Sequence, residues 1–449
     1  MVVLAAKPCY SSISRMNDQQ DRSLTAGRAS LLPEAPSWTE AMAAGCWYRI
    51  SGDQPSLNLP PTPLGSRYLI DTDPAHERLL NPARTLKERL RRQLGRNWAS
   101  PWQGKSGFPA ITEAWNSAVF ASRFGTSGSM VVFGGGHNSY FGSSVHSFDL
   151  ASRQWRRLTD GYVSGTPNAY GEGAVYPNAV YPDGSPLPPH TYDYVQYDEQ
   201  GNDYILLKGQ TELGPNVKAV AIPLLFNLNT LTWRRGPQHP AAILNSGGFT
   251  TWDATRRYLW GHSGDAGGGN CFVAYCPDGM NADGTFGSWQ AFQPNKMAGN
   301  ADHNSMQIEP DADVIVVAAH AQNTLYTIRP DEPARALREI HSTGDMPKLM
   351  QYAALEYSTK LRKLVYYAST DRAQVHVISL DKVARWENIT SVQSLDPIEH
   401  ARAATNHRPS IEHTFGRFRI ASYESCDVAI LLRHVDSPVY AFLLPDLED

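Results

Sequence analysis

Residues Met130–Leu158 read MVVFGGGHNSYFGSSVHSFDLASRQWRRL, and the rest of the chain can be understood from this stretch. A β-branched, apolar strand is followed by a glycine-rich loop, a strand that contains Phe148, and a further strand that contains Trp155. Short apolar strands separated by turn residues predict an antiparallel β-sheet. A second copy of the pattern, YILLKGQ…IPLLFNLNTLTWRRG, extends from Tyr204 to Gly236.

Four weaker copies of the pattern follow. Their third-strand positions align with Phe148 of the first copy, and the aligned residues are Phe148, Phe226, Tyr275, Ile328, Ile378 and Phe442. The spacings between them are 78, 49, 53, 50 and 64 residues. Three lie near 50 residues, which is the length of one kelch-type propeller blade. An insert at 161–189 and a loop at 396–408 account for the two longer spacings, so the sequence predicts six blades and leaves a seventh open within 51–110.

The first and last copies predict how the ring closes. In three copies the fourth strand carries a tryptophan, as in Trp155-Arg-Arg-Leu, whereas the last copy reaches Leu447 without such a strand. Residues 47–50, Trp-Tyr-Arg-Ile, have the missing pattern. We therefore expect this N-terminal segment to pair with the last blade, which would remove two exposed sheet edges.

The chain also carries AAGCW at 43–47, AWNSA at 114–118 and GGGHNSYFG at 134–142. In these motifs it resembles kelch-repeat, galactose-oxidase-like β-propellers of bacteria and their phages, over about residues 41–449. The resemblance implies an all-β, kelch-like β-propeller and leaves the function open, because propellers host unrelated activities. No copper-radical site is carried over, since the tyrosine–cysteine pair that such a site needs has no counterpart here.

Composition excludes several classes of protein. The chain of 449 residues has 19% charged residues, 35 Gly and 31 Pro, which suits many short strands joined by turns. A net charge of −4 gives no chain-wide basic surface for nucleic acid. We expect no membrane insertion, because no apolar run approaches about 18 residues. The N-terminus lacks the basic region of a standard secretory signal.

Two segments lie outside the predicted ring. Residues 1–40 are polar and have no periodic pattern, which predicts an extended N-terminal arm that another assembly protein could hold. Residues 51–110 form a partly helical insertion in which Leu86, Leu90 and Leu94 make a one-sided stripe. This basic helix either docks an acidic partner or packs on the propeller flank.

Histidines give the best clue to function. In a propeller, the loops after the second strand and before the first strand of every blade open on one face. Seven histidines fall in such loops. Among them, His190 and His303 are predicted to occupy equivalent positions in their blades, because each precedes an aspartate by eight residues. Tyrosines of the long insert add to this rim. The candidate ligand-binding residues are His137, Tyr140, His190, Tyr192, His262, His303 and His320.

Three interpretations of this rim compete. A polysaccharide lyase would use His190 or His137 with Tyr192 as base and acid, and Lys208 would neutralise a uronic carboxylate. Alternatively, histidines with Asp265 or Asp302 could hold a divalent metal at the rim. The third interpretation is that the rim residues bond loop backbones or bind a ligand without reacting, and then no cofactor or metal is needed.

The last interpretation leads to the expected function. We expect a non-enzymatic binding or structural protein, a virion component of a phage tail or capsid. It would bind a glycan or a protein through its loop rim, and this contact would serve host recognition. The alternatives are the lyase, and a bacterial cytoplasmic or non-classically exported kelch scaffold. The motifs leave open whether the protein is an enzyme.

Overall fold

The computed structural model describes residues 32–51, 115–135, 142–159, 162, 174–213, 219–239, 244, 247–263, 272–290, 303–332, 337–368, 373–394, 397, 414–433 and 438–447. These residues form 27 strands and one short 3-10 helix, Ser37–Ala41. The predicted helical insertion, nearly all of the segment that could hold a seventh blade, and residues 1–31 of the arm lie outside the described residues. Within the described ranges no helix has the length and apolar character needed to cross a membrane.

The strands make six blade sheets, which form a propeller, and neighbouring strands in them are antiparallel except for one parallel pair at the edge of blade five. The first strand of the chain, β1 (Trp47–Arg49), belongs to the last blade. Blade one contains β2 (Ala118–Ala121), β3 (Ser129–Val132), β4 (His146–Asp149) and β5 (Gln154–Arg157). Blade two contains β6 (Val195–Asp198) and β7 (Asp203–Leu206), then, after a small hairpin of β8 (Gly209–Gln210) and β9 (Ala219–Val220), β10 (Leu224–Asn227) and β11 (Thr232–Arg235).

The other four blades follow in the same order. Blade three contains β12 (Phe249–Asp253), β13 (Tyr258–His262), β14 (Phe272–Met280) and β15 (Phe286–Gln290). Blade four contains β16 (Ser305–Glu309), β17 (Val314–Ala319), β18 (Thr324–Ile328) and β19 (Arg338–Ile340). Blade five contains β20 (Ser342–Gly344), β21 (Ala354–Ser358), β22 (Lys363–Tyr367), β23 (Val375–Leu380) and β24 (Ala384–Asn388). Blade six contains β25 (Phe418–Ser422), β26 (Asp427–Leu432) and β27 (Val439–Leu443), together with β1.

The ring closes as the sequence predicts. Strand β1 pairs antiparallel with β27, and Trp47 lies opposite Phe442. The first strands of the blades contact one another in the order β2, β6, β12, β16, β21, β25 and back to β2, which makes them the wall of a central channel. All six aligned residues, from Phe148 to Phe442, lie on the third strand of their blade. The prediction of a six-bladed, all-β propeller closed by an N-terminal strand is therefore confirmed.

Burial explains why the strands have different patterns. The second strand of each blade is covered on both faces by neighbouring blades, so β17 (Val-Ile-Val-Val-Ala-Ala) and β26 (Asp-Val-Ala-Ile-Leu-Leu) are buried throughout. The outermost strand β5 faces solvent on one side and alternates between exposed and buried residues. Five apolar clusters cover the six junctions between blades. Packing between blades therefore supplies the core of the protein.

The described end of the arm lies against the ring. Within the helix Ser37–Ala41, the indole nitrogen of Trp38 donates to the backbone oxygen of Leu150 at 2.8 Å. Trp38 and Met42 also pack against the cluster between blades six and one. Residues 37–42 are therefore docked on the propeller and do not extend away from it.

The two faces of the ring differ. On the hairpin face, first strands turn into second strands, and each junction carries a side-chain hydrogen bond or ion pair. These contacts are Ser122–Glu199, Asp198–Arg257, Asp313–Arg256, Asp311–Arg362, Ser358–Asp427 and the Tyr423 hydroxyl with the backbone oxygen of Ser127. The opposite face, which we call the mouth face, carries the connections from second to third strands and from one blade to the next.

Candidate functional site

The backbone at the mouth face follows a repeating plan. Just before the first strand of their blades, Tyr192, His303, Tyr352 and Phe415 adopt left-handed conformations, with φ between 45° and 60°. Such values are uncommon for residues with a side chain. Here the left-handed turns bring side chains from four blades towards one another.

Backbone hydrogen bonds connect these turns from blade to blade. The amide of Tyr192 donates to the oxygen of Trp115 at 2.7 Å, and the amide of His303 donates to the oxygen of Gly247 at 2.7 Å. In the same way Tyr352 donates to His303 at 2.9 Å, and Thr414 donates to Tyr352 at 3.2 Å. The frame of the mouth is thus set by main-chain contacts.

An aromatic cluster fills this frame, and we call it the mouth cluster: Trp115, His190, Tyr192, His303, Tyr352 and Phe415. Ring centroids of His303 and Tyr352 are 3.9 Å apart, those of Tyr352 and Phe415 are 4.4 Å apart, and those of Tyr192 and His303 are 5.6 Å apart. The cluster therefore joins blades one, two, four, five and six around the channel. Contacts between aromatic rings stabilise a fold by more than the burial of their apolar surface alone.

Trp115 is the exposed member of the mouth cluster. Its side chain is 43% exposed, whereas His190 and Tyr192 are each 3% exposed. The Tyr192 ring lies nearly parallel to the indole at 6.3 Å, and the His190 ring meets it edge-on at 4.9 Å. Trp115 is thus a solvent-facing aromatic surface that buried rings support from behind.

Lys208 lies beneath these rings. Its amine donates to the backbone oxygen of His190 at 3.3 Å and sits 4.7 Å from the centre of the Tyr192 ring. Burial lowers the pKa of Lys208 to about 7, because a charged amine is poorly solvated there. The lysine therefore supports the cluster through a backbone bond and a ring contact.

The channel below the mouth is crossed by Arg419 of β25. Its guanidinium donates to Glu356 of blade five, to Asp193 and the Val195 oxygen of blade two, and to the Ala118 oxygen of blade one. Burial raises the pKa of both carboxyls, although the charge of Arg419 opposes that shift. Arg419 thus connects four blades at the centre of the ring.

The structure brings only some of the predicted site residues together. His190, Tyr192, Lys208 and His303 come together at the mouth. His320 is connected to this group through Asn304, the residue after His303. Its Nδ1 lies 2.7 Å from Oδ1 of Asn304. His262 is fully buried between Phe249 and Phe272, at centroid distances of 4.9 and 4.6 Å. His137 and Tyr140 lie outside the described residues.

One predicted equivalence is wrong. His190 and His303 do not occupy matching positions, because the left-handed residue of blade two is Tyr192. Tyr192 and Asp198 are six residues apart, as are His303 and Glu309, and Asp198 and Glu309 both end their first strands. Asp311 lies in the following turn. His190 lies two residues before Tyr192, directly after the insert at 161–189.

Sequence reasoning did not single out Trp115, Tyr352, Phe415, Arg417 or Arg433 as site residues. All but Arg433 lie one to three residues before a first strand, and Arg433 directly follows the second strand β26. An alignment on the starts of first strands would have found the aromatic members. The rim tyrosines of the insert behave differently, because Tyr162 and Tyr176 pack on the buried Tyr181 in a small core.

The rim histidines are also candidates for a metal site. Within the described part of the chain, no group of three or more His, Cys, Asp or Glu side chains is arranged to hold a metal ion. Asp265 and Asp302 lie outside that part. The described mouth offers aromatic rings for stacking, together with the Lys208 amine and the Arg417 guanidinium.

Comparisons with known proteins show neither a family nor a function for this chain. No protein-family model and no curated protein sequence matches the chain. One solved structure with similarity is a structural genomics protein of unknown function from Bacteroides thetaiotaomicron VPI-5482. It has a TM-score of 0.39 and 8% identity, covering 77% of this chain and 73% of that chain. Similarity at this level carries no argument about function.

Proposed function

We propose that this protein is a non-enzymatic, kelch-like propeller that binds carbohydrate at its mouth face. The observation that carries the proposal is the exposed Trp115 ring, backed by the buried rings of Tyr192 and His190. An aromatic face stacks on the C–H surface of a pyranose, and nearby polar groups fix its hydroxyls. A supported tryptophan at a channel mouth provides the first of these elements.

The positions of the supporting residues favour binding over catalysis. A general base or acid must reach the proton that it transfers. His190 and Tyr192 are almost completely buried, and the Lys208 amine already contacts the His190 oxygen and the Tyr192 ring. These side chains are placed to hold Trp115.

The wider role follows from the sequence motifs. AAGCW, AWNSA and GGGHNSYFG support a place among the propellers of bacteria and their phages. We infer a virion component whose mouth face recognises a host glycan and whose arm, residues 1–31 above all, binds another assembly protein. Removal of residues 1–31 should abolish incorporation into particles, measured by immunoblot of purified virions, and leave glycan binding unchanged.

A glycan panel tests the binding role. Full-length protein should bind at least one oligosaccharide, and Trp115→Ala should weaken that binding about tenfold, since a stacked ring contributes up to about 1.5 kcal/mol beyond the area that it buries. Met280→Ala is the matched control, because Met280 is also exposed but ends β14 at the hairpin face. Equal binding by Trp115→Ala and wild type would exclude Trp115 as the platform. Capture of a protein partner with no glycan bound would favour the protein-recognition alternative.

The lyase remains the second candidate, and one observation favours it. His190, Tyr192 and Lys208 are adjacent, and the Lys208 pKa near 7 suits proton transfer at neutral pH. Incubation with uronic-acid polymers should then produce the ultraviolet absorbance of unsaturated uronates, and Tyr192→Phe should remove it. A flat trace on polymers that the protein binds would exclude this chemistry for them.

A further inference from the structure

Two arginines lie side by side in blade six at the mouth face. Arg417 immediately precedes the first strand β25, and Arg433 immediately follows the second strand β26. Arg417 is completely buried and Arg433 is 5% exposed. Burying a guanidinium is costly unless a counter-charge or a full set of acceptors accompanies it.

Arg417 is held by backbone oxygens. Its Nε donates to the oxygen of Leu432 at 3.0 Å, and one terminal nitrogen donates to the oxygen of Arg433 at 3.2 Å. The other terminal nitrogen donates to the oxygen of Asn116, the residue after Trp115. Burial, and secondarily the charge of Arg433, lower the pKa of Arg417 to about 9. This arginine is therefore a fixed positive group next to the Trp115 platform.

Arg433 has different surroundings. Neither of its terminal nitrogens has a hydrogen-bond partner among the residues that the structure describes. Across the described ranges, no ion pair involves Arg433, and the ion pairs of blade six in these ranges are those of Arg419 with Asp193 and Glu356. A buried guanidinium fork without an acceptor is arranged to take a planar or tetrahedral oxyanion, which accepts two parallel N–H bonds.

We propose that Arg433, positioned beside Arg417, is an anion site that receives one carboxylate or sulfate group of a carbohydrate whose ring stacks on Trp115. The proposal rests on the carbohydrate-binding function above and names the ligand class as acidic glycans. The link between platform and anion site is short: Trp115 is followed by Asn116, whose oxygen binds Arg417, which in turn binds the backbone of Arg433.

The first test uses inorganic sulfate, which needs no stacking platform. Calorimetric titration of sodium sulfate into the full-length protein, at constant ionic strength, should show one site per chain. Arg433→Met should weaken this binding about 10- to 100-fold, as loss of charge-assisted hydrogen bonds does. Arg385→Met is the control, since Arg385 is an exposed arginine on β24. Unchanged sulfate binding in Arg433→Met would overturn the proposal.

Thermal unfolding separates a ligand site from a structural role. Without anions, Arg433→Met should melt at or above the wild-type temperature, because it removes a buried charge that lacks a counter-ion. Sulfate should then raise the melting temperature of wild type alone. A marked fall of the anion-free melting temperature in Arg433→Met would mean that Arg433 is structural and would overturn the proposal. Arg433→Lys, which keeps the charge without the fork, should fold and bind sulfate more weakly than wild type.

The second test distinguishes failure of this inference from failure of carbohydrate binding. Tetragalacturonate and its fully methyl-esterified form present the same rings with and without carboxylates. Wild type should prefer the acid at least about tenfold, and Arg433→Met should bind both alike. Equal binding of both forms by wild type would overturn the anion site and leave the Trp115 platform standing. A third outcome is that Arg433→Met loses sulfate binding but wild type binds neither oligosaccharide. This outcome would support the anion site and count against carbohydrate recognition.

Discussion

Arg419 of blade six donates from its Nη2 to Oδ1 of Asp193, which precedes the first strand of blade two, across 2.7 Å. The same guanidinium also pairs with Glu356 of blade five. One cation thus pairs with two carboxyls in the centre of the channel, and these ion pairs join blades two, five and six.

Replacing this arginine should destabilise the whole ring. Arg419→Met leaves two carboxyls buried without their counter-charge, and loss of one partner from a buried ionic group costs about 3–5 kcal/mol. Chemical denaturation at pH 7 should show this loss in the free energy of unfolding. Arg362→Met is the matched control, because its ion pair with Asp311 is mostly exposed and should contribute far less to stability. Equal effects of the two substitutions would contradict a central role for Arg419.

The same centre predicts a pH dependence. Burial raises the pKa of Glu356 above its unfolded value, although Arg419 opposes the shift and the nearby Asp193 adds to it. The stability that such a group contributes is complete below its unfolded pKa, about 4.3, and is lost as pH rises through the folded pKa. Relative to Glu356→Gln, wild type should therefore lose stability between about pH 4 and neutral pH. Unfolding free energies of both proteins across that range provide the test, and a constant difference would contradict it.

Much of the ring could be predicted because each blade repeats a pattern of residues that are close together in the sequence. The aligned third-strand residues and the fourth-strand tryptophans recur at short spacings, so Trp155 lies opposite Phe148, Trp233 opposite Phe226 and Trp386 opposite Ile378. Trp289, which lies opposite Tyr275, was missed. The long strand β14 and a register irregularity between Cys276 and Met280 move Trp289 away from the usual spacing.

The site could be predicted only in part, and for a physical reason. Histidines in loops mark the mouth face, but Arg419 looks in the sequence like any charged residue of a strand, and its partners come from blades one, two and five. Likewise, the burial of Arg433 depends on how blade six packs. Contacts among residues hundreds of positions apart have no signature in a local pattern.

Closure of the ring by β1 gives a third prediction. Trp47 is buried against Tyr367, Phe418 and Phe442, and its indole nitrogen donates to the oxygen of Ala373 at 2.9 Å. Trp47→Ala should lower the free energy of unfolding by about 3–5 kcal/mol, as for other large-to-small changes in a core. Denaturant titration measures the loss.

Two deletions provide the comparison for that substitution. Removing residues 1–31 retains Trp38 and β1, so the melting temperature should stay unchanged. Removing residues 1–51 uncovers the edge of β27, which should cause aggregation, measured by light scattering. A soluble, fully stable protein that lacks residues 1–51 would show that β1 is not needed for closure.

Lys208 gives the last prediction. Burial lowers its pKa to about 7, so the unfolded chain takes up a proton near pH 10.5 whereas the folded protein does so only near pH 7. The contribution of this group to stability is thus present above the unfolded pKa and is lost as pH falls through the folded pKa. The stability of Lys208→Met should be closest to that of wild type near pH 10. As the pH falls to about 7, the variant should become more stable than wild type. The difference should reach several kcal/mol at most, since each pKa unit corresponds to about 1.4 kcal/mol. Melting temperatures at pH 9.5, 8 and 6.5 measure the trend, and Lys363→Met, on the hairpin side of blade five, is the control variant. A wild type that gains stability over Lys208→Met as pH falls would mean that the amine has a negative partner at the mouth.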